Sequence, residues 1–198
     1  IISHYNEPID IASSSLSEKH AVYGGGPNLK LGLTNVAAKY RPQLIGIATT
    51  CLTETIGDDV KMYLHQYAED TKGSKGLPTF VNVSTPSYAG THMEGFHAAI
   101  REVVAQLSED GPRTETVNLL PGFVSSADYR LLAEIMTDFG LGCTLLPDLS
   151  ETMDGPALLE YEKIQGGGTP IAAIKAMGRS WATLDFGLDA HHHRHCKS

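Results

Sequence analysis

The sequence predicts an α/β fold with parallel sheets flanked by helices. Three observations predict it. Short apolar runs of strand length alternate with longer stretches of helical periodicity. Gly, Pro and Asp residues punctuate the junctions between them. The runs at 44–48, 79–83 and 116–120 are each followed by a helical stretch, the pattern of parallel strands joined by covering helices.

In chain order, residues 28–40 place Leu29, Leu33, Val36, Ala37 and Tyr40 on one helical face. Arg41-Pro42 ends that helix, because the residue before a proline avoids helical geometry. Leu44-Ile45-Gly46-Ile47-Ala48 reads as a buried strand. A second helix is expected from Asp58 or Asp59, where a carboxylate can cap free N–H groups, with Val60, Tyr63, Leu64 and Tyr67 inward. Residues 72–76 form a loop, and Thr79 to Val83 is the next strand, parallel to the first in one sheet. Met93, Phe96, Ile100, Val103, Val104 and Leu107 make the stripe of a long helix, which Asp110-Gly111-Pro112 breaks.

A second series follows. Residues 116–120 are a strand, and 127–139 a helix with Tyr129, Leu132, Ile135 and Phe139 inward. Gly140-Leu141-Gly142 is a helix-ending turn. Residues 143–146 are a strand, 169–177 a short helix and 182–184 a last strand. The expected organisation is therefore two Rossmann-like units, 1–112 and 113–188, the first incomplete at its N-terminus and the second partial. Residues 189–198 follow as a non-native or disordered tail. That tail holds His191, His192, His193 and His195, which could bind metal, but a non-native end is the simpler reading.

At 198 residues the chain suffices for one large domain or parts of two. Its net charge of -8 argues against nucleic acid and against an anionic membrane surface. No apolar run approaches the roughly 20 residues that span a bilayer. The chain opens on Ile1 rather than Met, so the true N-terminus is expected to lie upstream. Cys51, Cys143 and Cys196 are too few and too scattered for a disulfide framework, which points to a reducing, cytoplasmic compartment.

Two segments could carry chemistry. Cys51 follows a strand and precedes a helix start, and ligands gather beyond the C-terminal ends of parallel strands. A nearby helix N-terminus favours the thiolate, the form that binds iron. The competing reading is a small packing residue. The segment 82–92 likewise follows a strand; its hydroxyls could cap the next helix or face a cofactor or partner. His92 and His97 could be ligands, although lone helical histidines are commonly solvated. Cys143 opens a strand and reads as core. Glu54, Asp58 and Asp59 read as caps and helix-dipole partners. Gly24-Gly25-Gly26 lacks the third glycine of a dinucleotide fingerprint, Leu29 standing there, and reads as a turn into a helix; Gly166-Gly167-Gly168 reads likewise. Neither a nucleophile elbow nor a zinc-protease helix motif is present.

Taken together, these segments resemble the nitrogenase component 1 family, beta-type. The match is most specific at Thr49-Thr50-Cys51-Leu52-Thr53-Glu54-Thr55-Ile56-Gly57-Asp58-Asp59. Ser84-Thr85-Pro86-Ser87-Tyr88-Ala89-Gly90-Thr91-His92 resembles the beta-type Thr-Pro-Ser loop, and Val117-Asn118-Leu119-Leu120-Pro121-Gly122 the first strand of the next domain. Leu145-Leu146-Pro147-Asp148-Leu149-Ser150, Met177-Gly178-Arg179-Ser180 and Ala182-Thr183-Leu184 look most like the beta-like subunit of the iron-molybdenum cofactor assembly scaffold. Cys51 and the Thr-Pro-Ser loop lean instead toward the catalytic beta chain.

The resemblance implies that Cys51 is a metal ligand and that Cys51 and Ser87 are cofactor-binding. It implies an iron-sulfur cluster held at the interface with an alpha-like subunit, in a complex that receives electrons from the nitrogenase iron protein. The implied role is cofactor assembly; the alternatives are electron relay through the P-cluster of catalytic nitrogenase, or a metal-free binding module. A cubane needs about four thiolates, so the isolated chain is expected to hold no cluster and to be inactive.

Overall fold

Two short parallel strands organise the first unit. In this computed structural model, residues 10–73, 76–154, 160, 163–164 and 166–187 are described. The chain divides into two units, Asp10–Glu102 and Val103 onward. The division lies within a helix, upstream of the break expected at Asp110 to Arg113.

The first unit runs α1 (Glu18–Tyr23), α2 (Gly26–Tyr40), β1 (Leu44–Ala48), α3 (Cys51–Ile56), α4 (Val60–Asp70) and β2 (Thr79–Val83), then into α5 (His92–Leu107). β1 and β2 pair in parallel from Leu44↔Thr79 to Ala48↔Val83. A parallel pair requires a crossover, and α3 and α4 supply it. Leu33 of α2 and Val60, Tyr67 and Val81 are buried. Tyr67 meets the Phe80 ring edge-on, centroids 5.7 Å apart, and its hydroxyl accepts from Thr34 Oγ1 at 3.3 Å.

The triple glycine is a close-approach turn. A Cβ on Gly26 would lie 2.6 Å from the Tyr63 ring, and Gly24 holds φ +85°. β1 is less buried than its apolar run suggests, since Gly46 and Ala48 are exposed. The strand has one paired neighbour, so alternate side chains lack cover among the described residues. Two six-residue helices, α1 and α3, were not evident in the sequence.

The second unit contains β3 (Thr114–Leu120), α6 (Ser126–Asp138), β4 (Gly142–Leu145), α7 (Ile171–Ala176), a 3-10 turn (Met177–Arg179) and β5 (Ser180–Asp185). Its sheet has the order β4-β3-β5, all parallel. Alternation along β3 sends Val117 and Leu119 into a core with Tyr129, Met136, Leu145 and Leu149. Buried Asn118, on the opposite face, donates to Met177 O and Thr183 Oγ1, each at 3.0 Å, and accepts from Ser180 Oγ at 2.8 Å. A buried amide satisfied in this way ties β3 to β5.

The inward face of α6 differs from expectation. Tyr129 is fully buried and Leu132 half-buried, but Ile135 and Phe139 are exposed, Phe139 at 75%. Ser126, Tyr129, Ala133 and Met136 follow the i, i+3, i+7 line that faces β3. Gly140, at φ +69°, then turns the chain, with Leu141 N donating to Met136 O at 2.9 Å. The helix expected over 169–177 is shorter, because Pro170 stands as its N-cap. The His-rich tail lies outside the described residues.

Candidate functional site at the edge of the first sheet

The parallel register carries the chain out of β1 and β2 at the same edge. The turn after β1 and the loop after β2 therefore meet there, and hydroxyl groups lock them. Thr49 N donates to Val83 O at 3.1 Å, extending the ladder by one rung. Thr85 N then donates to Thr49 Oγ1 at 3.0 Å, and Thr85 Oγ1 to Thr49 O at 2.9 Å. Two threonines thus satisfy each other's backbone where the strands end.

Thr50 is the N-cap of α3, its N–H donating to Thr53 Oγ1 at 2.9 Å. Cys51 is the first residue of that helix and is exposed. The Cys51 carbonyl accepts from Thr55 Oγ1 at 2.7 Å. Gly57, at φ +73°, ends α3. Asp59 caps α4 by accepting from Met62 N at 2.9 Å, as the sequence suggested. Asp58 does something else: it accepts from Gly25 N at 2.9 Å and from Tyr63 OH at 3.0 Å, joining the glycine turn to α4.

After β2, Ala89 N donates to Pro86 O at 3.2 Å, closing a turn over Ser87 and Tyr88. Ser87 is exposed. Gly90 takes φ +77°, and Thr91 receives Glu94 N at 3.3 Å at the start of α5. The hydroxyl-rich loop thus caps its helix and also braces the neighbouring turn. Cys51 and Ser87 share the edge, although no hydrogen bond links them among the described residues.

Glu54 lies in the first turn of α3, where a helix-dipole partner belongs, but its side chain does more than that. It does not cap its own helix. Its carboxylate accepts from Thr49 Oγ1 and, at 2.6 Å, from Ser84 Oγ in the loop after β2. The Ser84 and Thr49 hydroxyls hold its pKa below the ordinary glutamate value, against a smaller opposing effect of burial. The available signal was the clustering of hydroxyls after both strands, but only the parallel register shows that they converge.

The donor chemistry at this edge is one exposed thiol, several hydroxyls and the Glu54 carboxylate, which two of those hydroxyls engage. Among the described residues, no group of three or more His, Cys, Asp or Glu side chains could hold a metal ion. The set fits one corner of a thiolate-held cluster and not a complete cage. Cys143 lies elsewhere, on β4 opposite Val117; burial and the Asp148 charge push its thiol pKa up, which disfavours a thiolate. His92 is exposed, and His97 meets the Phe96 ring edge-on at 5.5 Å. No helix among the described residues is long and apolar enough to cross a membrane.

Known proteins align with this geometry. Residues 1–195 match the family model described as nitrogenase component 1 type oxidoreductase. The nitrogenase molybdenum-iron protein beta chain of Clostridium pasteurianum is 37% identical over 185 residues, covering 93% of this chain and 40% of that one. The beta chain of Azospirillum brasilense is 37% identical over 191 residues, covering 91% of this chain and 36% of that one. The solved structure "Nitrogenase Cp1 at pH 6.5" superposes with a TM-score of 0.85 at 36% identity, over 92% of this chain and 40% of that chain. The chain thus spans about two fifths of the length of the curated relatives it matches.

Proposed function

This chain belongs to the nitrogenase component 1 family as a beta-type member, and from that premise we propose that its β1–β2 edge is one side of an iron-sulfur cluster site shared with an alpha-like subunit. The observation that carries the reading is the placement of exposed Cys51 beside the Thr-Pro-Ser loop at one edge of a parallel sheet. Cys51 supplies one thiolate and Ser87 a hydroxyl. The remaining ligands come from outside the described residues, because no further cysteine stands at this edge among them. The cluster supplies one-electron redox chemistry when bound. The protein's part is to fix Cys51 on a short helix, to brace it against the next loop and to present the edge to the partner. The nitrogenase iron protein supplies electrons, and a reducing compartment such as the cytoplasm suits an exposed thiol.

Two roles use such a site. Electron relay in a catalytic beta chain is favoured by the Clostridium pasteurianum and Azospirillum brasilense relatives, which carry that name. Cofactor assembly is favoured by the second-unit segments at 145–150, 177–180 and 182–184, which resemble the assembly scaffold. Purification of the full-length protein with its partner, followed by iron quantitation and acetylene-reduction assay with iron protein, tests both. Bound iron with reduction supports the relay. Bound iron without reduction, together with activation of a cofactor-free component 1, supports assembly. A full-length complex devoid of iron overturns the cluster site itself.

A further inference from the structure

We propose that Glu54 is a positioning residue for Cys51, holding the helix that carries the thiol against the loop that carries Ser87. The inference rests on the cluster-site reading above and names the device that orients its ligand. α3 has only six residues and buries none of them. A helix so short is not stable on its own, and its apolar anchoring is slight, Ile56 being half-buried and Leu52 exposed. Hydrogen bonds therefore carry much of its orientation, and with it the direction of the Cys51 thiol.

The Thr50–Thr53 pair is local, and so is the bond from Thr55 to the Cys51 carbonyl. The Glu54 bond reaches farther. Glu54 sits one turn beyond Cys51, and its Oε1 accepts both from Thr49, just before Cys51, and from Ser84, 30 residues on, at 2.6 Å. Thr49 is itself held by Thr85. The resulting chain, Ser84–Glu54–Thr49–Thr85, starts and ends in the loop after β2 and encloses the Cys51 turn. A carboxylate accepting from hydroxyls makes charge-assisted bonds, which are stronger and shorter than neutral ones. Groups that orient a metal's ligands matter almost as much as the ligands, typically about 10- to 100-fold in metal affinity.

The test uses the full-length protein with its partner and the variants Glu54→Ala, Glu54→Gln, Ser84→Ala and Cys51→Ala. Three quantities are read: chelator-driven iron release, the electron paramagnetic resonance signal of the cluster, and amide hydrogen exchange in metal-free protein. Glu54→Ala is expected to speed iron release about tenfold and to change the line shape. In the metal-free protein it should speed exchange at 51–56 by about tenfold while leaving Val81 unchanged. Glu54→Gln should restore most of the wild-type behaviour, since its amide oxygen still accepts from both hydroxyls. Ser84→Ala should fall between.

Wild-type release, line shape and local exchange in Glu54→Ala overturn the proposal. So does faster exchange throughout the first unit, which marks a general packing role. Loss of iron in Cys51→Ala alongside wild-type Glu54→Ala sinks only the positioning role. Iron content, partner affinity and activity all kept by Cys51→Ala sink the cluster reading, and the exchange data then still decide whether Glu54 orders the turn.

Discussion

Tyr129 has no solvent exposure, and its hydroxyl donates to Gly122 O at 2.6 Å. Removing that hydroxyl leaves a carbonyl without its donor, so Tyr129→Phe should cost about 1 kcal/mol of unfolding free energy in urea titration of the full-length protein. Asp59 is a conventional cap, and Asp59→Ala should likewise cost about 1 kcal/mol. Glu54 behaves differently because its bonds favour its charged form. Its folded pKa is lowered relative to the unfolded chain. Its contribution is therefore fully present above the ordinary glutamate pKa, about 4.3, and is lost as pH falls through the lowered folded value. Stability profiles of wild type and Glu54→Gln should run parallel at neutral pH and converge in that acid range. Profiles that stay parallel throughout the acid range would show that the carboxylate is not stabilised by folding.

Among the elements, the parallel strands were the most legible. The runs at 44–48 and 79–83 are apolar, of strand length and separated by helical sequence, so their type and pairing follow from local pattern. The six-residue helices were not legible, because less than two turns of sequence does not display a period. On α6 the period is visible and Tyr129 and Leu132 do face the core, but the inward face runs on to Ala133 and Met136 rather than to Ile135 and Phe139. Apolar Ile135 and Phe139 attracted the assignment, while Met136 lines up with Ser126, Tyr129 and Ala133. The mutational consequence is specific. Met136→Ala should cost about 2–3 kcal/mol through the cavity it leaves, whereas Ile135→Ala should stay within about 1 kcal/mol. Equal losses in urea titration would show that Ile135 packs inward as much as Met136 does. The candidate site was half legible in the same sense. Cys51 and Ser87 could be placed at strand ends from sequence, but the Glu54 bridge depends on two turns 30 residues apart meeting in space.

The first unit presents the Cys51 edge, and the second is a separate parallel sheet with its own core. Neither supplies enough thiolate for a cubane among the described residues. The 198-residue chain by itself should therefore hold no stoichiometric cluster after anaerobic reconstitution. About four irons per chain, the content of one cubane, lost on Cys51→Ala, would contradict that. The most direct measurement belongs to the full-length protein bound to its alpha-like partner: iron content and partner affinity of Cys51→Ala against wild type, each purified anaerobically. The account predicts that the variant loses cluster iron or pairs more weakly while its far-ultraviolet circular dichroism stays that of wild type. A Cys51→Ala complex with undiminished iron, affinity and activity would make Cys51 a surface residue and contradict the site proposed here.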